Sequence, residues 1–387
     1  MNLAQRSAKL STGTITVEID RTMVEPDDLF DFAERHNPKR SFLFVSKVLG
    51  RHVPVSPRLM RTTFVKLAAQ IPVDLPGPVL VVGLAETAVG LGAGVHQEYA
   101  ARRGKGDAIY IATTRHRLGT PLLAEFYEEH SHASHHMVHR PVDPRIEALV
   151  LGARSLVLVD DEVSSGKTFI NLYKALVSAD LRHIETIYLV TLTDWSAGAA
   201  SAAIGRDVFS VSLLSGRYHW QPVPGALPPQ ATQVEFRHRV GGSPDYRMDW
   251  GRLGVSSHAS GWGGIDRLNS ARVGERVLVV GTGEYVWWPF LYAEQLEQNG
   301  THVRFSSVSR SPIRIGHAIE SGIAFADNYG LGIANYLYNV DRAAYDRVFL
   351  CTETGRDTID PVLLDHLNAQ VICATAGPVR AAAAPKC

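Results

Sequence analysis

Along the chain, short and wholly apolar runs alternate with segments of helical spacing. Residues 79–84, 108–112, 156–159 and 187–191 are four such runs, and 208–214 adds a fifth. Runs this short, without polar alternation, predict strands buried on both faces. Between them, 61–70 sets Phe64, Leu67 and Ala68 on one helical face before Pro72 to Pro78 breaks the pattern, and a second helix is expected to end near Arg103. Strands separated by helices predict a parallel sheet in an α/β layer.

The character changes over 221–270, where five prolines and eight glycines fall in fifty residues, including Gly241-Gly242-Ser243-Pro244 and Gly261-Trp262-Gly263-Gly264. That stretch reads as a connector. Regularity then resumes with predicted strands at 276–280, 302–305, 347–351 and 370–373, and helices at 285–298 and 361–367. At 387 residues the chain exceeds what one core usually serves. The organisation expected is an extension over 1–36, an α/β domain over 37–222, a connector over 223–270 and a second, smaller α/β domain over 271–387.

Charge and cysteine usage narrow the partners. Thirty-nine basic residues balance thirty-nine acidic ones, so no global field draws the chain to nucleic acid or to a membrane surface. The opening MNLAQRSAKLSTG lacks an apolar signal core, and no run approaches the roughly eighteen apolar residues of a spanning helix. A cytoplasmic protein is expected. Cys351, Cys373 and Cys387 are too few and too scattered for a disulfide framework or a zinc knuckle, and read as two buried thiols and a tail thiol.

Leu156-Val157-Leu158-Val159 delivers Asp160 and Asp161 to the carboxyl edge of the predicted sheet, where ligands of open α/β folds bind. Val163-Ser164-Ser165-Gly166-Lys167-Thr168 then turns into a helix whose inner face carries Phe169, Leu172 and Leu176. Outward backbone N–H groups, the helix dipole and hydroxyl donors suit a phosphate monoester. A nucleotide P-loop would need glycine five residues before Gly166, where Asp161 stands.

Other segments could complete an anion site. Ala85-Glu86-Thr87-Ala88 follows the first predicted strand, with Gly83, Gly90 and Gly92 allowing close backbone approach. Lys47 and Arg51, read as one helical turn apart, are secondary candidates. The insertion 113–144 holds His130, His132, His135, His136 and His139 near Arg115 and Arg117. A metal cluster is one reading of it, but HExxH is absent and the spacings are irregular, so a cationic lid that excludes water is favoured. Tyr218 and Trp220 offer flat rings for stacking, with core packing as the competing role. Ser309-Arg310-Ser311-Pro312 could hold a phosphate or carboxylate on a loop at a strand end, and Gly281-Thr282-Gly283-Glu284 could form the opposite wall.

The order of strand, two acids and hydroxyl-rich loop resembles the phosphoribosyl-pyrophosphate motif of type I phosphoribosyltransferases, with Glu162 standing where many members carry an apolar residue. More narrowly, FLFVSKVLGRHVPV, AETAVGLG, EEHSHASHH, VDDEVSSGKT and SLLSGRYHW resemble the orotate-phosphoribosyltransferase-like enzymes of tellurium-resistance and stress gene clusters. Those enzymes carry a C-terminal domain named for Thr-Arg-Ser-Pro, and here serine replaces the naming threonine. The resemblance spans 37–220 and about 249–373. It implies a type I phosphoribosyltransferase fold in which Asp160 and Asp161 hold the ribose hydroxyls directly or through Mg-bound water. Val163 to Thr168 would then take the 5-phosphate, Ala85 to Ala88 the pyrophosphate, and the 113–144 insertion would be the lid. The implied ligands are phosphoribosyl pyrophosphate, Mg and a base-like acceptor in nucleotide metabolism, with a homodimer left open. Two other readings stand beside transfer: a sensor that binds the donor without turnover, and a hydrolase or phosphorylase.

Overall fold

The computed structural model describes residues 4–37, 40–127, 135–205, 207–226, 241–243, 250–256 and 271–374. In chain order its first half forms β1 (Ala4–Leu10), β2 (Gly13–Thr22), α1 (Pro26–Leu29), β3 (Phe30–Glu34), β4 (Phe42–Ser46), α2 (Pro57–Ala68), β5 (Val79–Gly83), α3 (Ala88–Arg103) and β6 (Ala108–Ala112). There follow β7 (Leu122–Tyr127), β8 (His135–His139), α4 (Pro144–Leu151), β9 (Ser155–Val159), β10 (Glu162–Val163), α5 (Lys167–Ser178), β11 (Thr186–Asp194), α6 (Ala199–Ile204) and β12 (Val208–Pro222). The C-terminal part contributes β13 (Arg276–Gly281), α7 (Trp287–Gln298), β14 (His302–Ser307), β15 (Gly322–Ala326), β16 (Ala334–Tyr338), β17 (Arg347–Thr352), α8 (Pro361–Leu367) and β18 (Gln370–Cys373). No helix among the described residues is long and apolar enough to cross a membrane.

The five apolar runs are parallel neighbours in the order β12-β11-β9-β5-β6, as strands buried on both faces require. Residues 4–36, read as an extension, are instead part of this architecture. β2 pairs antiparallel with the second half of β12, and β1 pairs with β2. The reason is visible in β2, where Ile15, Val17 and Ile19 alternate with Thr16, Glu18 and Asp20 and bury one face. The segment carrying Lys47 and Arg51, expected as helix, is strand β4 followed by irregular backbone; β4 pairs antiparallel with β3, and that ladder overrides the local helical spacing.

The C-terminal sheet is also parallel, ordered β14-β13-β17-β18, with the β15–β16 hairpin beside it. One of its faces, Leu278, Val280, Val348 and Leu350, packs on Leu363 and Leu367 of α8 in a core of its own. The other face, Val277, Val279, Phe305 and Phe349, shares one continuous core with the first domain. Helix α7 bridges the two. Its Trp287, Trp288, Phe290 and Tyr292 are all buried, the pattern of a helix enclosed on every side. Arg61 of α2 reaches across to Glu294 with Nε and Nη2, each at 2.7 Å.

Most of the connector lies outside the described residues, including Pro244 and the Gly261 to Gly264 cluster, but 250–256 is placed. Val255 pairs with Tyr110 on edge strand β6, and Ala112 donates to the Gly251 carbonyl at 2.9 Å. This docking carries Arg252 into the seam between the sheets. Its Nη1 and Nη2 each meet Glu353 at 2.8 Å, and its Nε meets Glu284 at 3.2 Å. Glu284 also accepts from the Thr114 hydroxyl at 2.5 Å and the Arg115 amide at 2.7 Å, so the end of β13 is tied to the end of β6. Burial alone would raise the Glu284 carboxyl, but the charges of His116 and Arg252 and these hydrogen bonds hold it down at about 2. Removing Arg252 would leave two buried carboxylates without their cation. Arg252→Ala is expected to cost about 3–5 kcal/mol of stability at pH 7, read as a lowered denaturant midpoint.

Candidate active site

Chain direction decides where this sheet can bind a ligand. From β5 the chain moves to β6 on one side and later returns to β9 on the other, so the connections leave β5 in opposite directions. The crevice at the carboxyl ends of β5 and β9 is the topological switch point. Both sequence motifs meet there, because Leu84 to Thr87 follows β5 and Asp160 to Gly166 follows β9.

The β9 loop is pinned along its length. The Asp160 amide donates to Val190 at 3.0 Å, and the Asp161 carbonyl accepts from Leu192 at 3.0 Å. Glu162 and Val163 form the short β10, which pairs with Thr193 and Asp194. Asp160 Oδ1 caps the Asp161 amide at 2.9 Å. Burial, followed by the charge of Glu162, pushes the Asp161 carboxyl up to about 6. Glu162, the departure from the resembled motif, is committed elsewhere: Arg40 Nη2 donates to it at 2.6 Å.

Gly166 ends the turn with a φ of +74°, a left-handed backbone suited to glycine. A Cβ there would sit 2.4 Å from that of Ala200, so α6 closes directly over the loop. The first intrahelical bond runs from Ile170 to the Gly166 carbonyl at 3.0 Å. The amides of Thr168 and Phe169 therefore point out of the end of α5, as anion recognition requires, while that of Lys167 meets the Ser165 hydroxyl at 3.5 Å. Val163 is buried, whereas Ser165 and Lys167 face solvent.

The β5 loop is held from three sides. The Ala85 amide donates to the Thr113 hydroxyl at 2.8 Å, the Ala85 carbonyl accepts from Arg115 Nη2 at 3.3 Å, and Leu84 donates to Val159 at 3.0 Å. The Ala85–Glu86 peptide is cis. Glu86 and Thr87 are half-buried and Ala88 begins α3. Gly92 serves packing, since a Cβ on it would lie 2.7 Å from the Gly83 Cα and would push α3 off β5. Arg51 is brought to this loop, its Nη2 standing 3.5 Å from Glu86 Oε1. Lys47 is not, because its ammonium donates to the Asp27 carbonyl at 2.6 Å.

In the 113–144 insertion β7 and β8 form an antiparallel pair, and its described histidines pack against neighbouring rings, carboxylates and hydroxyls. His135 stacks on Tyr127 at 4.4 Å and bonds Glu125 at 2.8 Å, while His136 stacks on Phe126 at 4.5 Å. His136 Nδ1 is hydrogen-bonded to the Thr113 hydroxyl at 3.1 Å, the same hydroxyl that receives the Ala85 amide. His139 donates from Nε2 to the His116 carbonyl at 3.0 Å, so its Nδ1 accepts from Thr120 at 2.9 Å. Burial lowers the His139 pKa and keeps that ring neutral at pH 7. Arg115 turns inward to the His135 carbonyl at 2.9 Å, and Arg117 is exposed. His130 and His132 lie outside the described residues.

Tyr218 and Trp220 are half-buried in an aromatic cluster rather than standing alone. Phe42 lies 5.3 Å from Tyr218 and 5.0 Å from Trp220, and Phe44 stacks on Trp195 at 4.8 Å. Arg40 sits 4.8 Å from the Phe42 ring while pairing with Glu162, and so joins this cluster to the acids. Sequence reasoning passed over Arg40, Thr113 and Arg252. Thr113 was within reach, being the residue that follows a predicted strand at the carboxyl edge.

Ser309 to Ser311 lies against the first domain. Ser309 exchanges backbone bonds with Tyr336 at 2.9 and 2.7 Å, and its hydroxyl bonds His52 Nε2 at 3.2 Å. Arg310 Nε stands 3.5 Å from Glu86 Oε1. Glu284, proposed as a wall, closes the seam instead. Of the thiols, Cys351 is buried, Cys373 is half-buried and Cys387 lies outside the described residues. Among the described residues, no group of three or more His, Cys, Asp or Glu side chains is disposed to hold a metal ion.

Comparison with known proteins supplies the context. No curated protein matches the chain. Among solved structures it is similar to adenine phosphoribosyltransferase from Rhodothermus marinus, at 16% identity over 49% of this chain and 95% of that one, with a TM-score of 0.33. It is also similar to adenine phosphoribosyl transferase from Trypanosoma brucei in complex with AMP, pyrophosphate and ribose-5-phosphate, at 11% identity over 55% and 87%, TM-score 0.34. The hypoxanthine phosphoribosyltransferase of Staphylococcus aureus follows at 16% identity over 43% and 79%, TM-score 0.25. Family models are more direct: residues 29–217 match phosphoribosyl transferase, and residues 263–367 match the TRSP domain C-terminal to it. The chain therefore belongs to the phosphoribosyl transferase family whose members carry a C-terminal TRSP domain.

Proposed function

We propose that the protein transfers ribose 5-phosphate from phosphoribosyl pyrophosphate to the nitrogen of a base-like acceptor, releasing pyrophosphate. One observation carries this reading. The two acids and the open N-terminus of α5 face the Ala85 to Ala88 loop across the β5–β9 crevice. One flank suits a 5-phosphate and ribose hydroxyls, and the other suits the leaving group.

In this scheme the amides of Thr168 and Phe169 hold the 5-phosphate, with Ser164 and Ser165 adding donors. Asp160 and Asp161 accept from the ribose 2- and 3-hydroxyls. As the bond from C1 to pyrophosphate breaks and the bond to the acceptor nitrogen forms, positive charge grows on the ribose, and these carboxylates stabilise it. Tyr218 and Trp220, with Phe42, supply aromatic surface for a flat acceptor. Because the acceptor site is built from β4 and β12, the N-terminal strands take part in it.

The donor set also suits Mg. Asp160 and Asp161 present carboxylate oxygens at the crevice while Glu162 is taken by Arg40, and burial, followed by the charge of Glu162, holds the Asp161 carboxyl up. Hard oxygen ligands without a full protein cage match an ion shared with water and substrate oxygens, most directly through Asp160 and Asp161. When bound, Mg would neutralise charge on the departing pyrophosphate.

Three outcomes are expected. Asp160→Asn combined with Asp161→Asn abolishes measurable binding of phosphoribosyl pyrophosphate in the presence of Mg by isothermal titration while the circular dichroism spectrum is retained; undiminished affinity refutes the assignment. Asp161 alone gives a pH signature. Its folded pKa, about 6, lies above the ordinary 3.8, so ionising it in the native state costs stability progressively between those values and fully above 6. Asp161→Asn is therefore stabilising at pH 8 and close to neutral at pH 4 in thermal melts. Gly166→Ala, straining a left-handed position against Ala200, is expected to cost about 1–3 kcal/mol and to weaken ribose 5-phosphate binding.

A further inference from the structure

The seam between the domains holds two guanidinium groups around one carboxylate. Arg51 Nη2 and Arg310 Nε each stand 3.5 Å from Glu86 Oε1. These contacts are ion pairs without hydrogen bonds. Arg51 Nη2, Arg310 Nε, Glu86 Oε1 and the Ser311 hydroxyl are all buried and lack a hydrogen-bond partner among the described residues. Native interiors satisfy the great majority of such groups, so several unsatisfied atoms in one seam call for an explanation. The Arg51 side chain is 4% exposed and that of Arg310 is 8% exposed, which makes the cost of leaving them unpaired high.

Both arginines are held in place from the C-terminal side. Arg51 Nη1 donates to the Val308 carbonyl at 2.5 Å and the Gly283 carbonyl at 3.2 Å, leaving Nη2 to face Glu86. Arg310 rides on a loop fixed by the bonds between Ser309 and Tyr336 and by the Ser311 amide, which donates to the Ser309 hydroxyl at 3.1 Å. The charge count is two positive to one negative. A preorganised pair of guanidinium groups with unspent N–H donors matches an anion with several oxygens. Glu86 belongs to the β5 loop, on the opposite flank of the crevice from α5, where the donor's C1 substituent would point.

We propose that Arg310 of the C-terminal domain and Arg51 receive the pyrophosphate end of the donor, and that the Glu86 carboxylate occupies their site until that anion displaces it. This rests on the phosphoribosyl reading of the crevice. It makes the TRSP loop a working part of the transferase site, because the C-terminal domain supplies one guanidinium and anchors the other. Glu86, at 14% the most exposed of the three side chains, acts as an internal competitor.

The competitor role gives a test with opposite signs. Full-length protein and the variants Arg310→Ala and Glu86→Gln are titrated calorimetrically with inorganic pyrophosphate plus Mg, and separately with ribose 5-phosphate. Arg310→Ala is expected to weaken pyrophosphate by about tenfold to a hundredfold, the usual effect of losing a charged donor, while Glu86→Gln tightens it severalfold. Neither should alter ribose 5-phosphate binding. Pyrophosphate affinity indifferent to both substitutions, or weakened by Glu86→Gln, overturns the inference while leaving the phosphoribosyl site intact. Failure of the wild-type protein to bind ribose 5-phosphate overturns both. Should Arg310→Ala fail to fold, Glu86→Gln decides alone.

Discussion

Two carboxylates, Glu284 and Glu353, are buried at the carboxyl edge of the C-terminal sheet, and burying such groups is costly unless a cation meets them. Arg252 provides it, and can do so only because its segment is paired to edge strand β6 of the other sheet. The constraint propagates from there. With Glu284 bound to Thr114 and Arg115, the start of the β7–β8 pair is fixed to the second domain. Arg115 and Thr113 in turn grip Ala85. The geometry of the β5 loop is thus determined partly by a domain that begins well over a hundred residues later in the chain.

This arrangement gives the C-terminal domain a structural logic that its small size would not suggest. Its parallel sheet offers a switch-point crevice of its own between β13 and β17, yet Arg252 and Tyr329 fill the ends of those strands against Glu353. Its remaining polar loop, Ser309 to Ser311, is turned toward the first domain. The two sheets meet carboxyl edge to carboxyl edge, and the shared apolar core through α7 makes them one packed body.

Much of the fold was legible because fully buried parallel strands are apolar runs. The bounds 108–112 and 370–373 coincide with β6 and β18. The position of Asp160, Asp161 and the 163–168 loop was legible for the same reason, since a buried strand points its next residues at the carboxyl edge. What was missed depended on pairing. The alternation in β2 is a clear strand signal, but nothing local says that its partner is β12. The spacing of Phe44, Val45, Val48 and Leu49 suits a helix as well as it suits β4. The histidines show the limit most clearly: their roles follow from the β7–β8 register, which sets Tyr127 opposite His135 and Phe126 opposite His136. Register is a property of two strands, and composition along one does not contain it.

The pairing of β2 with β12 also bears on how the chain is made. Ile15 lies opposite Trp220 and Val17 opposite Tyr218, so these residues wait for partners about two hundred positions downstream. Until then the apolar face of β2 is uncovered on an emerging chain. Glu18, Asp20 and Arg21 stand among those apolar residues, the type of charge that discourages a lone strand from pairing with another copy. Closure of the Tyr218 and Trp220 side of the crevice is consequently a late event in folding, completed only after the 160–168 loop and both of its flanking strands have left the ribosome.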